Sequence, residues 1–156
     1  MKAVIFGLAI GLAIAACAQG PGTQRPLWDR DSEKKHEITA LWAQIRGWRH
    51  DAHMDVEPPQ ALIQSLLRLT VRQAGGVCPD SHVPPASCGD ICGLGDAICE
   101  NAENICVIAA ELNGDGWARE KCNSAKASCR EAKQRCCDCD DEAVKALSPA
   151  VTPVTP

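Results

Sequence analysis

Ten of the chain's 11 cysteines lie between Cys78 and Cys139, a stretch of 62 residues, and the eleventh, Cys17, stands apart. Thiols at that density pair as disulfides, hold a metal or exchange electrons. Their spacing favours the first. Cys92, Cys99 and Cys106 stand seven apart, and so do Cys122, Cys129 and Cys136. Seven residues are nearly two helical turns, so each trio lines one helix face with ~10 Å between successive sulfurs. Between the trios lies Asn113-Gly114-Asp115-Gly116, a turn signal. Folding the two helices antiparallel about that turn pairs Cys92–Cys136, Cys99–Cys129 and Cys106–Cys122, which share one midpoint, Gly114. Ten cysteines allow on the order of 1,000 pairings, so a common midpoint is a strong restriction. Cys88–Cys139 nearly continues the series, and Cys78–Cys137 follows by elimination.

The residues between the cysteines suit such a ladder. A disulfide brings Cα atoms to ~4.4–6.8 Å, closer than the 8–10 Å between ordinary packed helix axes, so the seam needs small side chains. Gly95, Ala102 and Ala109 stand three positions after the first-helix cysteines, and Ala125 and Ala132 are their counterparts on the second. Ile91, Ile98, Ile105 and Leu112 form a parallel apolar stripe, expected to face the N-terminal helices. Cys88 to Leu112 carries five acids and no Lys or Arg, whereas Trp117 to Arg135 carries six bases and two acids. Opposite charge favours the pairing, although each exposed ion pair contributes little. The innermost bridge closes a 17-residue loop, for a model stabilisation of ~3 kcal/mol.

Other chemistries compete for these residues. The ladder cannot be one zinc site, because same-helix sulfurs ~10 Å apart cannot converge to ~2.3 Å from an ion. Cys78, His82, Cys88, Cys137 and Cys139 form the alternative metal cluster. Cys136-Cys137-Asp138-Cys139 contains a Cys-x-x-Cys, the alternative thiol-redox site. It ends a helix and precedes Asp140, Asp141 and Glu142, and both features disfavour thiolate. Glu111 to Gly116 has the acid–amide alternation and sixth-position glycine of a calcium loop, but the twelfth position is Cys122, where a bidentate glutamate is required. His50 and His53, with Asp51 and Asp55, offer only a weak surface metal site, and Trp42 and Trp48 read as core anchors. No nucleophile–base constellation, nucleotide loop or dinucleotide fingerprint is visible. The sequence reading is therefore non-catalytic, with no catalytic residue, no cofactor and no metal assigned. A net charge of −4 and a pI near 5.5 argue against nucleic-acid binding.

The elements that position the ladder are helical. From Ser32, the residues Ile38, Leu41, Trp42, Ile45 and Trp48 share one face of a helix of about 17 residues, weakened near its end by Gly47. Past Pro58-Pro59, Leu62, Ile63, Leu66, Leu67, Leu69 and Thr70 predict a second helix, ended by Gly75-Gly76. The two can pack as a hairpin. The expected layout is a signal segment 1–16, a tether 17–29, an N-terminal helix pair 30–76, a stapled helical hairpin 77–142 and a disordered Pro/Thr tail 143–156. The fold class is all-α: an N-terminal helix pair packed on a disulfide-laddered antiparallel hairpin. This layout resembles small secreted or intermembrane-space hairpins such as the twin Cys-x9-Cys proteins, in architecture only.

Residues 1–17 read Met-Lys, then an uncharged run from Ala3 to Ala16, then Cys17. A short charged start, an apolar core and small residues at its end make a secretory signal, too short for a membrane span of ~20 residues. Ile14-Ala15-Ala16-Cys17 resembles the lipobox of bacterial lipoproteins. The resemblance covers only these 17 residues. It implies cleavage before Cys17, acylation of that cysteine and anchoring in the cell envelope. Ala18 stands where Asp marks inner-membrane retention in well-known members, which implies the outer membrane. Parity agrees, since lipidation of Cys17 leaves ten thiols to pair. The implied partners are the membrane, through the lipid, and an unidentified envelope protein or the cell wall. Non-reducing peptide mapping should link Cys99 to Cys129; a different partner for either removes the ladder.

Overall fold

The computed structural model describes residues 27–79 and 82–140. The signal segment, Cys17 and the 143–156 tail lie outside the described residues. Within them the fold is all-α, with five α-helices, a 3-10 turn at Ala86–Cys88 and no strand.

Helix α1 spans Leu27–Asp51. It therefore begins inside the expected tether, because no Gly or Pro interrupts the sequence between Pro26 and Gly47. Arg49 and His50 occupy its last turn, where cations complement the helix dipole. The chain then turns through His53 at φ 55°. Gly47 lies within the helix with nothing within 4 Å of a would-be Cβ, so its cost there is that of any exposed helix-interior glycine.

The expected second helix is two short ones, α2 (Gln60–Ser65) and α3 (Val71–Gly75). The break has a local cause at Thr70. Its hydroxyl accepts from the Gln73 amide at 3.2 Å, while Gln73 Oε1 accepts from the Thr70 amide at 2.9 Å. This reciprocal capping box starts a new helix where the apolar spacing alone runs straight on.

Helices α4 (Gly89–Glu111) and α5 (Gly116–Cys137) form the antiparallel hairpin. The Asp115 carboxylate caps α5 by accepting from the Ala118 amide at 2.9 Å. Gly114 takes φ 85°, the left-handed conformation that glycine tolerates best, at the midpoint of the three rungs.

The N-terminal helices pack on this hairpin, but not as a hairpin with each other. Helix α1 lies on α4 and α5, while α2 and α3 lie mainly on α5. Ile38, Trp42 and Ile45 of α1 enter one core with Ile98, Ala102 and Ile105 of α4 and with Leu112 just past its end. Burying each isoleucine contributes roughly 1.5–3 kcal/mol. Ile91, the first residue of the expected stripe, is only half-buried. A second cluster joins Ile63, Leu66 and Ala74 to Ala127. The α1 side of α4 thus carries Ile98 and Ile105, and Gly75 of α3 sits against the Cys99–Cys129 sulfurs.

Two glycines should respond oppositely to alanine. Gly47→Ala should raise stability by roughly 0.5–1 kcal/mol, because nothing obstructs the methyl group. Gly75→Ala should lower it by about 1–3 kcal/mol, since the added Cβ would lie 2.9 Å from Cys129 Sγ. Chemical denaturation of each variant checks both signs.

Candidate functional site

The cysteine seam is built by the heptad spacing of α4 and α5. The structure holds Cys92–Cys136, Cys99–Cys129 and Cys106–Cys122 as disulfides with Cα separations of 4.7, 4.6 and 4.7 Å. Cys78–Cys137 and Cys88–Cys139 close the far end at 5.4 and 6.0 Å. These are the five expected pairs, three from the shared midpoint, Cys88–Cys139 as its near continuation and Cys78–Cys137 by elimination. The narrow approach is possible because of the small residues. A Cβ on Gly95 would already meet the Ala132 carbonyl oxygen at 3.3 Å, and Ala102 and Ala125 are fully buried.

The competing residues have other occupations. Cys136 and Cys139 of the Cys-x-x-Cys are bonded to different partners, Cys92 and Cys88. A bridged sulfur presents no thiolate to a metal. Among the described residues, no group of three or more His, Cys, Asp or Glu side chains converges as metal ligands do. In the calcium-like turn, the Asp115 carboxylate lies 2.6 Å from Lys35 Nζ. That hydrogen bond, with the one from the Ala118 amide, holds its pKa below the usual aspartate range. The His50 ring faces Asp51 Oδ1 at 3.3 Å on an exposed helix end, and His53 lies in the following turn. Trp42 is buried, with Lys121 Nζ 5.8 Å from its ring centroid, and Trp48 packs at the core's edge.

Two buried cations carry structural work that the sequence reading missed. Lys126 is 5% exposed, and its ammonium donates to the carbonyls of Leu66, Leu67 and Leu69 at 3.2, 3.2 and 3.1 Å. Those carbonyls project from the break between α2 and α3, where the regular helical donors have stopped and the Leu66 oxygen also accepts from the Leu69 amide at 3.0 Å. Three donors from one –NH₃⁺ group satisfy them and tie the break to α5. Burial pushes the Lys126 ammonium below the ordinary lysine value. A signal existed: Lys126 stands four after Cys122 and three before Cys129, which places it beside the cysteine face. Arg49 is fully buried. Its Nε donates to the Asp55 carbonyl at 2.7 Å. Its Nη1 meets Glu131 Oε2 at 2.8 Å as an ion pair, without the alignment of a hydrogen bond. Arg49 falls eleven residues after Ile38 and four after Ile45, so it continues the apolar stripe of α1. Asn101 also reaches α1, donating to Gln44 Oε1 at 3.0 Å.

A cavity of about 540 Å³ lies at the turn end of the hairpin, bordered by Leu67, Arg119, Lys126 and the Cys106–Cys122 bridge. At the opposite end of the hairpin, Met54, Ile91, Leu94 and Ala132 line a smaller recess of about 230 Å³, with Asp90 and Arg135 at its edge. Neither brings an acid, a base and a nucleophile together.

The chain matches no family model, no curated protein and no solved structure. Its chemistry must be read from its own residues. Five disulfides within 62 residues point to an oxidising, extracytoplasmic compartment. Among the described residues, no helix is long and apolar enough to cross a membrane.

Lys126→Met should destabilise the fold by about 1–3 kcal/mol, because it keeps the stem and removes the ammonium donor from the Leu67 and Leu69 carbonyls, while the Leu66 carbonyl keeps the Leu69 amide. Hydrogen exchange should show the loss concentrated at residues 60–75. Uniform loss across the ladder would contradict the tie.

Proposed function

We propose that this chain is a non-catalytic lipoprotein of the bacterial cell envelope. It is anchored through acyl chains on Cys17 and presents a rigid stapled helical domain for structural or binding use. The observation that carries the reading is the partition of the 11 cysteines. Five bridges occupy all ten between Cys78 and Cys139, and the remaining one follows Ile14-Ala15-Ala16. An exported chain with an odd thiol would form unwanted intermolecular bridges, and acylation removes that thiol.

The physical roles divide accordingly. Two or more acyl chains, each CH₂ contributing ~0.8 kcal/mol, hold a protein at a membrane where a single myristoyl chain holds it only marginally. Residues 18–26, between the acylated cysteine and the start of α1, provide a Pro- and Gly-containing spacer. The partner of the domain is an envelope protein or the cell wall, met by a surface that the disulfides keep in one shape. The outer membrane is the favoured site, because Ala18 rather than Asp follows the cysteine.

The test is metabolic labelling with palmitate together with the mass of the mature N-terminal peptide. The wild-type chain should incorporate label and begin at an acylated Cys17, and Cys17→Ala should lose both the label and detergent-phase partitioning. Label retained by Cys17→Ala would overturn the assignment.

A further inference from the structure

We propose that the Cys106–Cys122 bridge, the rung nearest the turn, is the reducible bond of this fold: an external thiol attacks Cys106 Sγ, and Cys122 departs as the thiolate. Access is the first ground. Both residues are half-buried, and both border the 540 Å³ cavity and an adjoining one of about 270 Å³. Three other bridges are shielded on at least one side. Cys99 and Cys129 also border a cavity, of about 490 Å³, but Cys129 is fully buried with Gly75 packed over its sulfur; Cys136 is buried, and Cys88 and Cys139 are both buried.

Polarity is the second ground. In thiol–disulfide exchange, the sulfur that better carries negative charge leaves faster. Arg119 stands three before Cys122 on α5 and borders the same cavity, whereas the Lys126 ammonium is committed to the Leu66, Leu67 and Leu69 carbonyls. The positive charge of Arg119 favours a thiolate at Cys122. Asp115 also borders that cavity, but its carboxylate is paired with Lys35. Cys106 lines both cavities too, but its neighbour along the helix has the opposite sign: Glu103 stands three before Cys106, where Arg119 stands three before Cys122. The Cys106 Sγ also lies 3.5 Å from the Cys122 carbonyl oxygen. The bridge is therefore polarised, with Cys106 as the electrophilic sulfur.

The one other bridge half-buried at both residues, Cys78–Cys137, lacks this asymmetry. Cys137 is the last residue of α5 and precedes Asp138, where the helix dipole and the carboxylate disfavour an anion. Cys78 Sγ lies 4.0 Å from the Lys133 carbonyl oxygen. Neither sulfur is a good leaving group.

The exchange balances with a thiol as the named co-reactant. One thiolate forms a mixed disulfide on Cys106 and releases the Cys122 thiolate. A second thiol equivalent then takes the attached sulfur as an external disulfide, leaves Cys106 as a thiol and completes a two-electron reduction. A dithiol performs both steps in one molecule. The turn end of the hairpin is then held by the Lys34–Glu111 and Lys35–Asp115 ion pairs and by buried Leu112 and Ala118, while four bridges keep the rest of the seam closed.

The experiment uses the full oxidised chain, glutathione as the probe, acid quenching, alkylation and peptide mapping over time. The first product should carry glutathione on Cys106 and alkyl label on Cys122, forming roughly tenfold faster than any other adduct. Arg119→Glu, an exposed substitution, should slow that adduct about threefold or more. A first adduct at any other cysteine, Cys122 included, or an unchanged rate in Arg119→Glu, would overturn the proposal.

Discussion

A disulfide sets the distance between two backbones, and here it sets the distance between two helices. Rungs at Cα separations of 4.6–4.7 Å draw α4 and α5 closer than side-chain packing would. Everything beside the seam follows from that approach. Large residues are excluded between rungs, so Gly95, Ala102, Ala125 and Ala132 line it. Small residues bury little apolar area. The hairpin therefore cannot build an ordinary core within itself and needs other helices on its flanks.

The flanks meet this need differently. Helix α1 supplies Ile38, Trp42 and Ile45 to Ile98 and Ile105, where large apolar side chains pack together. Short α2 and α3 bring less, with Ile63, Leu66 and Ala74 against Ala127. Much of their attachment is polar, through Lys126 and the three carbonyls it serves. Covalent bridges make this division possible. They narrow the unfolded ensemble, so a chain with aromatic residues at only 3% can still order two thin flanking layers.

The ladder was legible in the sequence because integer arithmetic carried it: equal sevens on both helices, a turn at their midpoint and alanines where the seam must be narrow. The α1 face was legible for the same periodic reason. The break at Leu66–Thr70 was not, because Leu62, Ile63, Leu66 and Leu67 continue a helical stripe without interruption. What stops that helix is the Thr70–Gln73 capping box, a short-range signal, and Lys126, a residue some 60 positions away along the chain. Arg49 escaped for a related reason. Periodicity places it on the buried face, yet its charge argues for water, and only the geometry of Glu131 and the Asp55 carbonyl explains its burial.

The choice of lysine at position 126 follows from how short helices end. The last turn of any helix leaves carbonyls without internal donors, and a five- or six-residue helix is mostly ends. An apolar residue reaching from α5 would take the donor from the Leu67 and Leu69 oxygens, at a cost of about 1–3 kcal/mol for each left buried without a partner. A glutamine offers two donors, an ammonium three in an adaptable arrangement. Burial disfavours the charge, as the lowered proton affinity of Lys126 reflects, but three carbonyl dipoles aimed at the nitrogen offset that penalty. The seam and its weaker flank are thus parts of one solution. Sulfur fixes a spacing too narrow for a conventional core, and a buried cation attaches the layer that apolar area alone would hold poorly.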